Sequence, residues 1–261
     1  MGGGNMAIWR LCSICATRYG LPKTMCPHPC GGGRSLHFLA DAPHLLKNLR
    51  GHLIRQQKIL LDADTVRKNN LPTNEVSLKY IRELCEIDEK HSLKLAPRLK
   101  LKHLSGNHFD KMNVSTACAL FSHSVAAALK LLVEHRKIDV TALTTAWFLE
   151  QVFKWFSLMT SRTPTMALSD MCPEKGKEAK LFLLEFMEMF RKLSIIDKNR
   201  TNPTWKPVQS GVIITTTTAL KRELYVTERG LKFLLLGRFS QDSLENLFSV
   251  VRTRTPVPRA R

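Results

Sequence analysis

Three long segments with apolar residues at helical spacing constrain the fold more than any other feature of this chain. They run from Phe109 to Val133, from Thr141 to Arg162 and from Glu174 to Leu193. The first is rich in Ala and Leu, and the other two carry large side chains three or four positions apart: Trp147, Phe148, Val152, Trp155, Phe156, Met159, Phe182, Leu183, Phe186, Met189 and Phe190. Such stripes must be buried against one another, so the pattern predicts a mainly helical domain.

The composition and charge of the chain indicate which class of partner it binds. The chain has 261 residues, of which 44% are hydrophobic, enough for one large domain or two smaller ones with a real core. Its formal charge of +18 favours a polyanion, and because the basic residues are scattered rather than gathered beside an apolar span, nucleic acid is favoured over a membrane surface. A merely basic or ribosome-associated protein is the alternative. We expect no segment to approach the length of a membrane helix and no signal peptide, and therefore an intracellular, soluble protein.

Seven cysteines, an odd number in a chain without a secretory signal, predict reduced thiols rather than a disulfide framework. Cys12 and Cys15 form a C-x-x-C pair, and Cys26 and Cys30 form a second, wider pair. Four such ligands are able to hold a structural zinc. The wider second pair favours free cysteines, with zinc as the alternative.

The segments on either side of the helical region each place an acid near a helix start. Residues 36–40 are mostly apolar and predict a buried strand that delivers Asp41, followed by a helix to about Gln57 with Pro43 in its first turn. Leu45, Leu46, Leu49 and Leu53 recur on one face of that helix. Thr73 or Asn74 is then expected to cap a helix through about Lys90.

The amino-acid composition changes in the C-terminal part of the chain, where β-branched residues become frequent. The β-branched run from Val212 to Thr218 predicts a strand, with a buried helix as the alternative. Thr227 is expected to act as a cap, and Ser243 to begin a helix with an apolar stripe formed by Leu244, Leu247, Phe248 and Val251. That places Glu245 near a helix start.

Asp41 and Glu245 are candidate metal ligands, because Mg²⁺ prefers hard oxygen donors and two ions clamp the reacting oxygens in phosphodiester chemistry. Spacing and composition alone favour a plainer interpretation, in which Asp41 caps a helix and Glu245 is solvated.

Several blocks of this sequence resemble, in the same order, those of the P-element-type, THAP-linked DNA transposase family. The two outer blocks are DAPHLLKNLRGHL and RFSQDSLENLFSVVR, and between them lie LKLAPRL, HFDKMNV, ALFSHSVAAAL, FKWFSLMTSR and KPVQSGVIITT. Together they cover roughly Leu36 to Pro258. Several collinear blocks are far more specific than any one of them.

The resemblance implies a mainly α fold, with a helical GTP-binding insertion domain inside an incomplete RNase H-like α/β domain. The expected divisions are a poorly specified segment at 1–35, a first RNase H-like piece at 36–72, the insertion domain at 73–204, a C-terminal RNase H-like piece at 205–252 and a loose basic tail at 253–261.

The resemblance also implies site residues. Asp41 and Glu245 occupy the positions of two catalytic carboxylates that, in the family, bind Mg²⁺ or Mn²⁺. The nucleotide-binding positions are Arg98, Asn113, Val114, Ser122, Phe156, Ser157, Thr160, Gln241 and Asp242. Arg98 suits a phosphate, Phe156 suits stacking on a purine, and Asp242 suits the donors of guanine. The family pattern has Lys, Asp and Asn where this chain has Asn113, Ser157 and Thr160.

The activity that the resemblance implies is cut-and-paste DNA transposition: metal-dependent strand cleavage and transfer at transposon ends in the nucleus, by an oligomeric protein that uses GTP without hydrolysing it. No acidic residue precedes Asp41, so the first catalytic carboxylate of the family is missing. We therefore expect a truncated, inactive transposase product. The alternatives are a non-catalytic nucleic-acid or GTP-binding module, and a basic helical scaffold without a ligand.

Overall fold

The structure is a computed structural model that describes residues 24–28, 30, 33–104, 113–165, 168–169, 173–221 and 230–254. Helices dominate, which confirms the predicted mainly helical class. The helices are α1 Ala42–Ile54, α2 Ala63–Lys68, α3 Leu78–Glu89, α4 Val114–Leu120, α5 His123–Glu134, α6 Ala142–Met159, α7 Pro173–Lys192, α8 Pro207–Leu220 and α9 Asp242–Arg254, with short 3-10 helices at Leu101–Leu104 and Leu236–Phe239.

The strands are short and form small antiparallel sheets. They are β1 Met25–Pro27, β2 Ser35–His37, β3 Lys58–Leu60, β4 Glu75–Val76, β5 Leu168–Ser169, β6 Ser194–Ile196 and β7 Phe233–Leu234. β1 pairs with β2, β5 pairs with β7, and β3 lies between β4 and β6. Within the described residues the sheets have two or three strands, and the RNase H-like architecture stays a prediction.

The core is built from the aromatic stripes of α6 and α7, as the helical spacing predicted. Trp155 stacks on Phe186 with ring centroids 5.5 Å apart and planes inclined by 11°, and Phe186 contacts Phe190 at 4.8 Å. Aromatic pairs of this kind contribute about 0.5–1.5 kcal/mol beyond the area that they bury. Trp155 also donates from its indole nitrogen to Thr216 of α8 at 2.9 Å, so this buried polar atom is satisfied.

The prediction of one long helix from Phe109 to Val133 was wrong in its described part. The chain breaks between α4 and α5, where Phe121 leaves the helical conformation and Ser122 caps α5 by accepting a hydrogen bond from the amide of Val125 at 3.4 Å. Because a serine hydroxyl satisfies an otherwise unpaired amide, it favours a helix start at this point. Residues 109–112 lie outside the described part.

The expectation that no segment approaches the length of a membrane helix was also wrong. The stretch Val114–Glu134 is long and apolar enough to cross a membrane by those two criteria, but 56% of its most apolar window is buried within the protein. The core helix of a soluble protein passes the same two criteria, so they are weak evidence for a membrane span.

The threonine-rich run predicted as a strand is the buried helix α8, the alternative interpretation. Pro207 occupies its first turn, where a missing amide costs nothing, and Gln209 donates to the carbonyl oxygens of Phe190 and Leu193 at the end of α7. Gly211 lies so close to α1 that an added Cβ would be 2.4 Å from Leu45. Tertiary packing therefore overrides the β propensity of the threonines.

The segment before Asp41 is extended but is not the buried strand that was predicted. β2 ends at His37, and Leu36 is 39% exposed. Beyond it, the Thr215 hydroxyl accepts from the amide of Ala40 at 2.8 Å and donates to its carbonyl at 2.9 Å. Thr218 donates to the carbonyl of Phe38 at 2.7 Å. Hydroxyls of α8 thus take the place of a neighbouring strand.

Two helix boundaries also differ from the predictions. α1 ends at Ile54 rather than Gln57, and Gln56 then adopts a positive φ of 53° that turns the chain into β3. The next helix, α3, begins at Leu78 after the cap Ser77, because residues 75 and 76 pair with β3 instead of forming the first turn. The predicted cap at Thr227 lies outside the described residues.

Replacing Thr215 by Val should destabilise the fold. The change keeps the volume but removes both hydrogen bonds to Ala40, leaving its amide and carbonyl without those partners in a half-buried setting at a cost of about 1–3 kcal/mol. Urea unfolding followed by circular dichroism measures the free energy of unfolding.

Thr217→Val is the matched control, because within the described part of the chain its hydroxyl donates to the sulfur of Met187 alone, a weak acceptor. Equal losses for the two variants would mean that the bonds to Ala40 are not what stabilises this region.

Candidate functional site

Asp41 joins the start of α1 to the start of α9. Its Oδ2 accepts hydrogen bonds from the amide of His44 at 3.0 Å and from Nδ1 of His44 at 2.7 Å. Its Oδ1 accepts from the amide of Gln241, the residue before α9, at 3.0 Å. The side chain is 5% exposed. The carboxylate therefore acts as a helix cap, as the plainer interpretation of the sequence held, and also as a link between distant segments.

The same contacts set the charge state of Asp41. Burial alone would raise the pKa of this carboxyl, but the hydrogen bonds from the His44 side chain and from the amides of Gln241 and His44 outweigh it, so the pKa lies below its usual value of 3.8. Asp41 is consequently ionised at neutral pH.

Glu245 lies one turn into α9, where its amide bonds to the carbonyl of Gln241 at 2.9 Å. Through Gln241, the structure brings the elements of Asp41 and Glu245 together. Glu245 is exposed, however, and both oxygens of Asp41 already accept from protein donors. The described residues contain no group of three His, Cys, Asp or Glu side chains able to hold a metal ion. These donors alone do not fit a divalent metal, and the catalytic roles stay predictions.

The alternative of a four-cysteine zinc site is tested only in part by the described residues. Cys26 on β1 is half-buried and Cys30 is exposed, and both are free thiols. Cys12 and Cys15 lie outside the described residues, so the four-cysteine site stays a prediction.

A cleft of about 320 Å³ opens beside Asp41. It lies among the start of α1, the start of α4, the end of α6 and the 3-10 helix that precedes α9. Its lining side chains combine an aromatic ring, a cation and two hydroxyl groups with small and apolar residues: Pro43, Val114, Phe156, Thr160, Arg162, Gly237 and Ser240. A concave surface of this size with few polar groups is typical of small-molecule sites.

We call this the candidate cleft. Gly237 forms part of one of its walls. Its amide bonds to the carbonyl of Ser161 at 3.0 Å, and the amide of Leu236 bonds to the Ser161 hydroxyl at 3.3 Å. A Cβ at position 237 would lie 2.8 Å from the carbonyl oxygens of both Thr160 and Ser161. Only glycine allows the 3-10 helix to approach the end of α6 this closely.

Three of the predicted nucleotide-binding residues line the candidate cleft: Val114, Phe156 and Thr160. Asn113, Ser157 and Gln241 are chain neighbours of lining residues but do not line it themselves. Arg98 and Ser122 lie elsewhere, and the side chain of Asp242 lies outside what the structure describes. The binding roles of these residues stay predictions.

Two of the predicted binding residues have structural roles. Asn113 caps α4 by accepting from the amide and hydroxyl of Ser115, each at 2.9 Å. Ser122 donates to the carbonyl of Ala119 at 3.1 Å while it caps α5. Oδ1 of Asn113 and the hydroxyl of Ser122 are thus already engaged within the protein.

Sequence reasoning missed Arg162, Gly237, Ser240 and the lining role of Pro43. Arg162 ends the FKWFSLMTSR block and lies two residues beyond Thr160, so its position was a usable signal for a cation at this site. Gly237 carried no signal, because its role depends on a contact between segments about 75 positions apart.

The low pKa of Asp41 predicts how stability depends on pH. A carboxyl whose pKa is depressed on folding contributes stability above its unfolded value near 3.8 and loses it as pH falls through the folded value. Asp41→Asn should therefore be less stable than the unaltered protein at pH 7, with the difference shrinking below pH 4. Urea unfolding across that range measures it.

Asp64→Asn serves as the control, because the carboxyl of Asp64 also has a lowered pKa, from Arg67 and Lys192, but is exposed. Exposed pairs contribute little to stability. A pH-independent gap for Asp41→Asn would contradict the assigned contacts.

Gly237→Ala should displace the wall of the candidate cleft and lower the free energy of unfolding by about 1–3 kcal/mol, since the added methyl meets backbone atoms that cannot rotate away. Gly51→Ala in α1 is the matched control. Its Cβ would meet only Arg55 at 3.6 Å, an ordinary contact, and alanine favours the helix. Comparable losses in both variants would refute the close approach.

Comparisons with known proteins identify one matching family model, a similar curated protein and a similar solved structure. Residues 43–169 match the family model of the TNP-like, GTP-binding insertion domain. The Transposable element P transposase of Drosophila melanogaster is 23% identical over 257 residues, which is 97% of this chain but 32% of that relative.

A solved structure, the Drosophila P element transposase strand transfer complex, matches with a TM-score of 0.75 and 21% identity, covering 98% of this chain and 55% of that one. The chain thus spans about a third of its curated relative and about half of the matched chain in the solved structure. Residues 43–169 are therefore similar to the TNP-like, GTP-binding insertion domain, and the chain as a whole is similar to a P element transposase in sequence and in fold.

Proposed function

We propose that the candidate cleft binds GTP and that the chain is the nucleotide-binding part of a transposase-type protein that acts on DNA. The observation that carries the proposal is the convergence on one cleft, beside the start of α9, of Val114 from the start of α4 with Phe156 and Thr160 from the end of α6. The resemblance to the transposase family implies that these three residues occupy nucleotide-binding positions, and all three lie within the segment that matches the insertion-domain family model.

The chemistry of the cleft fits a guanine nucleotide. The half-buried ring of Phe156 offers a stacking surface for a purine, and the exposed guanidinium of Arg162 suits a phosphate. Arg162 also supplies the cation that is lost where the family has Lys and this chain has Asn113. The Thr160 hydroxyl donates to the carbonyl of Phe156 at 2.7 Å, which leaves its oxygen able to accept from a ligand.

Selectivity for guanine is assigned to Asp242. α9 begins at this residue, two positions beyond Ser240 on the wall of the cleft. A carboxylate accepts well from the ring N–H and the amino group of guanine, whereas adenine presents a different edge. We therefore assign Asp242 to the base and Arg162 to the phosphates.

The catalytic activity on DNA is the part of the proposal that has less support from the described residues. DNA strand cleavage and transfer in the nucleus, with Mg²⁺ or Mn²⁺ held at Asp41 and Glu245, needs oxygen ligands beyond those of the described residues. Oδ1 of Asp41 accepts one hydrogen bond within the described residues and keeps a second lone pair for a ligand, and a non-catalytic nucleotide- and DNA-binding module is the alternative form of this function. The formal charge of +18 supports DNA as the partner. The proposed oligomeric state rests on the resemblance to the transposase family.

Binding of a fluorescent GTP analogue, followed by anisotropy with ATP as the competitor, tests the proposal. Phe156→Ala and Arg162→Ala should each weaken binding by about tenfold or more, from lost stacking and a lost charged contact. Arg67→Ala is the matched control, because this exposed arginine pairs with Asp64 on α2 and does not line the cleft.

Asp242→Ala should reduce the preference for GTP over ATP while leaving the overall fold intact by circular dichroism. If the unaltered protein shows no binding, or if both cleft variants bind as Arg67→Ala does, the nucleotide site lies elsewhere or is absent.

A further inference from the structure

A second groove, also of about 320 Å³, lies away from the candidate cleft and shares no lining residue with it. It is bounded by the residues that follow α1, by β3 and β4, and by the first turns of α3. Leu53, Val76 and Leu78 form its floor, and polar and charged side chains line its sides. We call it the basic groove because three of its lining residues are Lys58, Lys79 and Arg82.

Secondary structure explains why the three cations share one side. On β3, Ile59 is fully buried while the preceding Lys58 is exposed, as the alternation of a strand requires. On α3, Lys79 and Arg82 are three residues apart and lie on one face, whereas Leu78 and Ile81 are buried on another.

The cations of the basic groove are poorly neutralised by the protein itself. Lys58 and Arg82 make no ion pair or side-chain hydrogen bond with any residue that the structure describes. Lys79 contacts Glu83 at 3.8 Å, but both side chains are at least 36% exposed, so that pair is worth little. Glu75 is the one acid among the lining residues. The start of α3, capped by Ser77, adds the positive end of a helix dipole.

We propose that the basic groove binds phosphate groups of a nucleic-acid backbone, at a site separate from the nucleotide cleft. The inference rests on the proposed DNA partner and names the surface that contacts it. The groove offers charge without an aromatic side chain for base stacking, so contacts there would contribute affinity independent of sequence. Weakly compensated cations converging from a strand and a helix suit a chain of phosphates.

The test measures duplex DNA binding by the full chain at several salt concentrations. A triple variant with Lys58, Lys79 and Arg82 changed to Ala should weaken DNA binding by on the order of tenfold, with the slope of affinity against salt falling by about two to three, roughly 0.9 per lost phosphate contact. GTP-analogue binding should be unchanged, which separates this inference from the nucleotide proposal.

A triple variant of Arg67, Lys68 and Lys130 to Ala is the matched control, because it removes the same charge from exposed cations that pair with Asp64, Glu185 and Glu150. Equal losses in the two variants would show that net charge alone governs binding, and would overturn the site.

Pyrophosphate binding by the same variants distinguishes a nucleic-acid backbone from a small phosphorylated ligand. A groove variant that loses pyrophosphate binding but keeps DNA binding would overturn the nucleic-acid site and assign the groove to the small ligand. If the unaltered chain does not bind DNA, the inference and the proposed DNA partner both fail, whereas GTP binding remains a separate result.

Discussion

The arrangement of the site depends on hydrogen bonds between α8 and the extended segment that leads to Asp41. Thr215 engages both the amide and the carbonyl of Ala40, and Thr218 engages the carbonyl of Phe38. Backbone polar groups that lose both water and a partner cost about 1–3 kcal/mol each, so this half-buried, extended segment needs partners for its amides and carbonyls. A helix supplies the partners here through its side chains, in place of the backbone of a neighbouring strand.

Asp41 extends that constraint to the candidate cleft. Its carboxylate is anchored at the start of α1 and receives the amide of Gln241, which positions the beginning of α9. The chain just before α9 is held by Gly237 against the end of α6. The cleft therefore lies where three distant segments converge on buried polar contacts, and its lining residues are brought together by packing rather than by proximity in sequence.

Two anionic ligands, in the functions proposed, would meet the protein on different surfaces. The candidate cleft offers one aromatic ring and one cation to a nucleotide, while the basic groove offers cations from β3 and α3. The two surfaces make contrasting use of charge. Selective recognition needs a cation together with directional polar groups, whereas backbone contacts need several cations that the protein leaves unneutralised.

The amino-acid sequence by itself determined the elements that depend on local periodicity: the helical class, the burial of Leu45, Leu46 and Leu49, and the aromatic core of α6 and α7. It also indicated Val114, Phe156 and Thr160, through ordered family blocks. Only the tertiary structure decided that residues 212–218 are helical, that α4 and α5 are separate, and that Gly237 and Arg162 line the cleft. β-branched propensity is weak beside burial, and contacts between distant segments have no local signal, because their free energy arises only when the chain has folded.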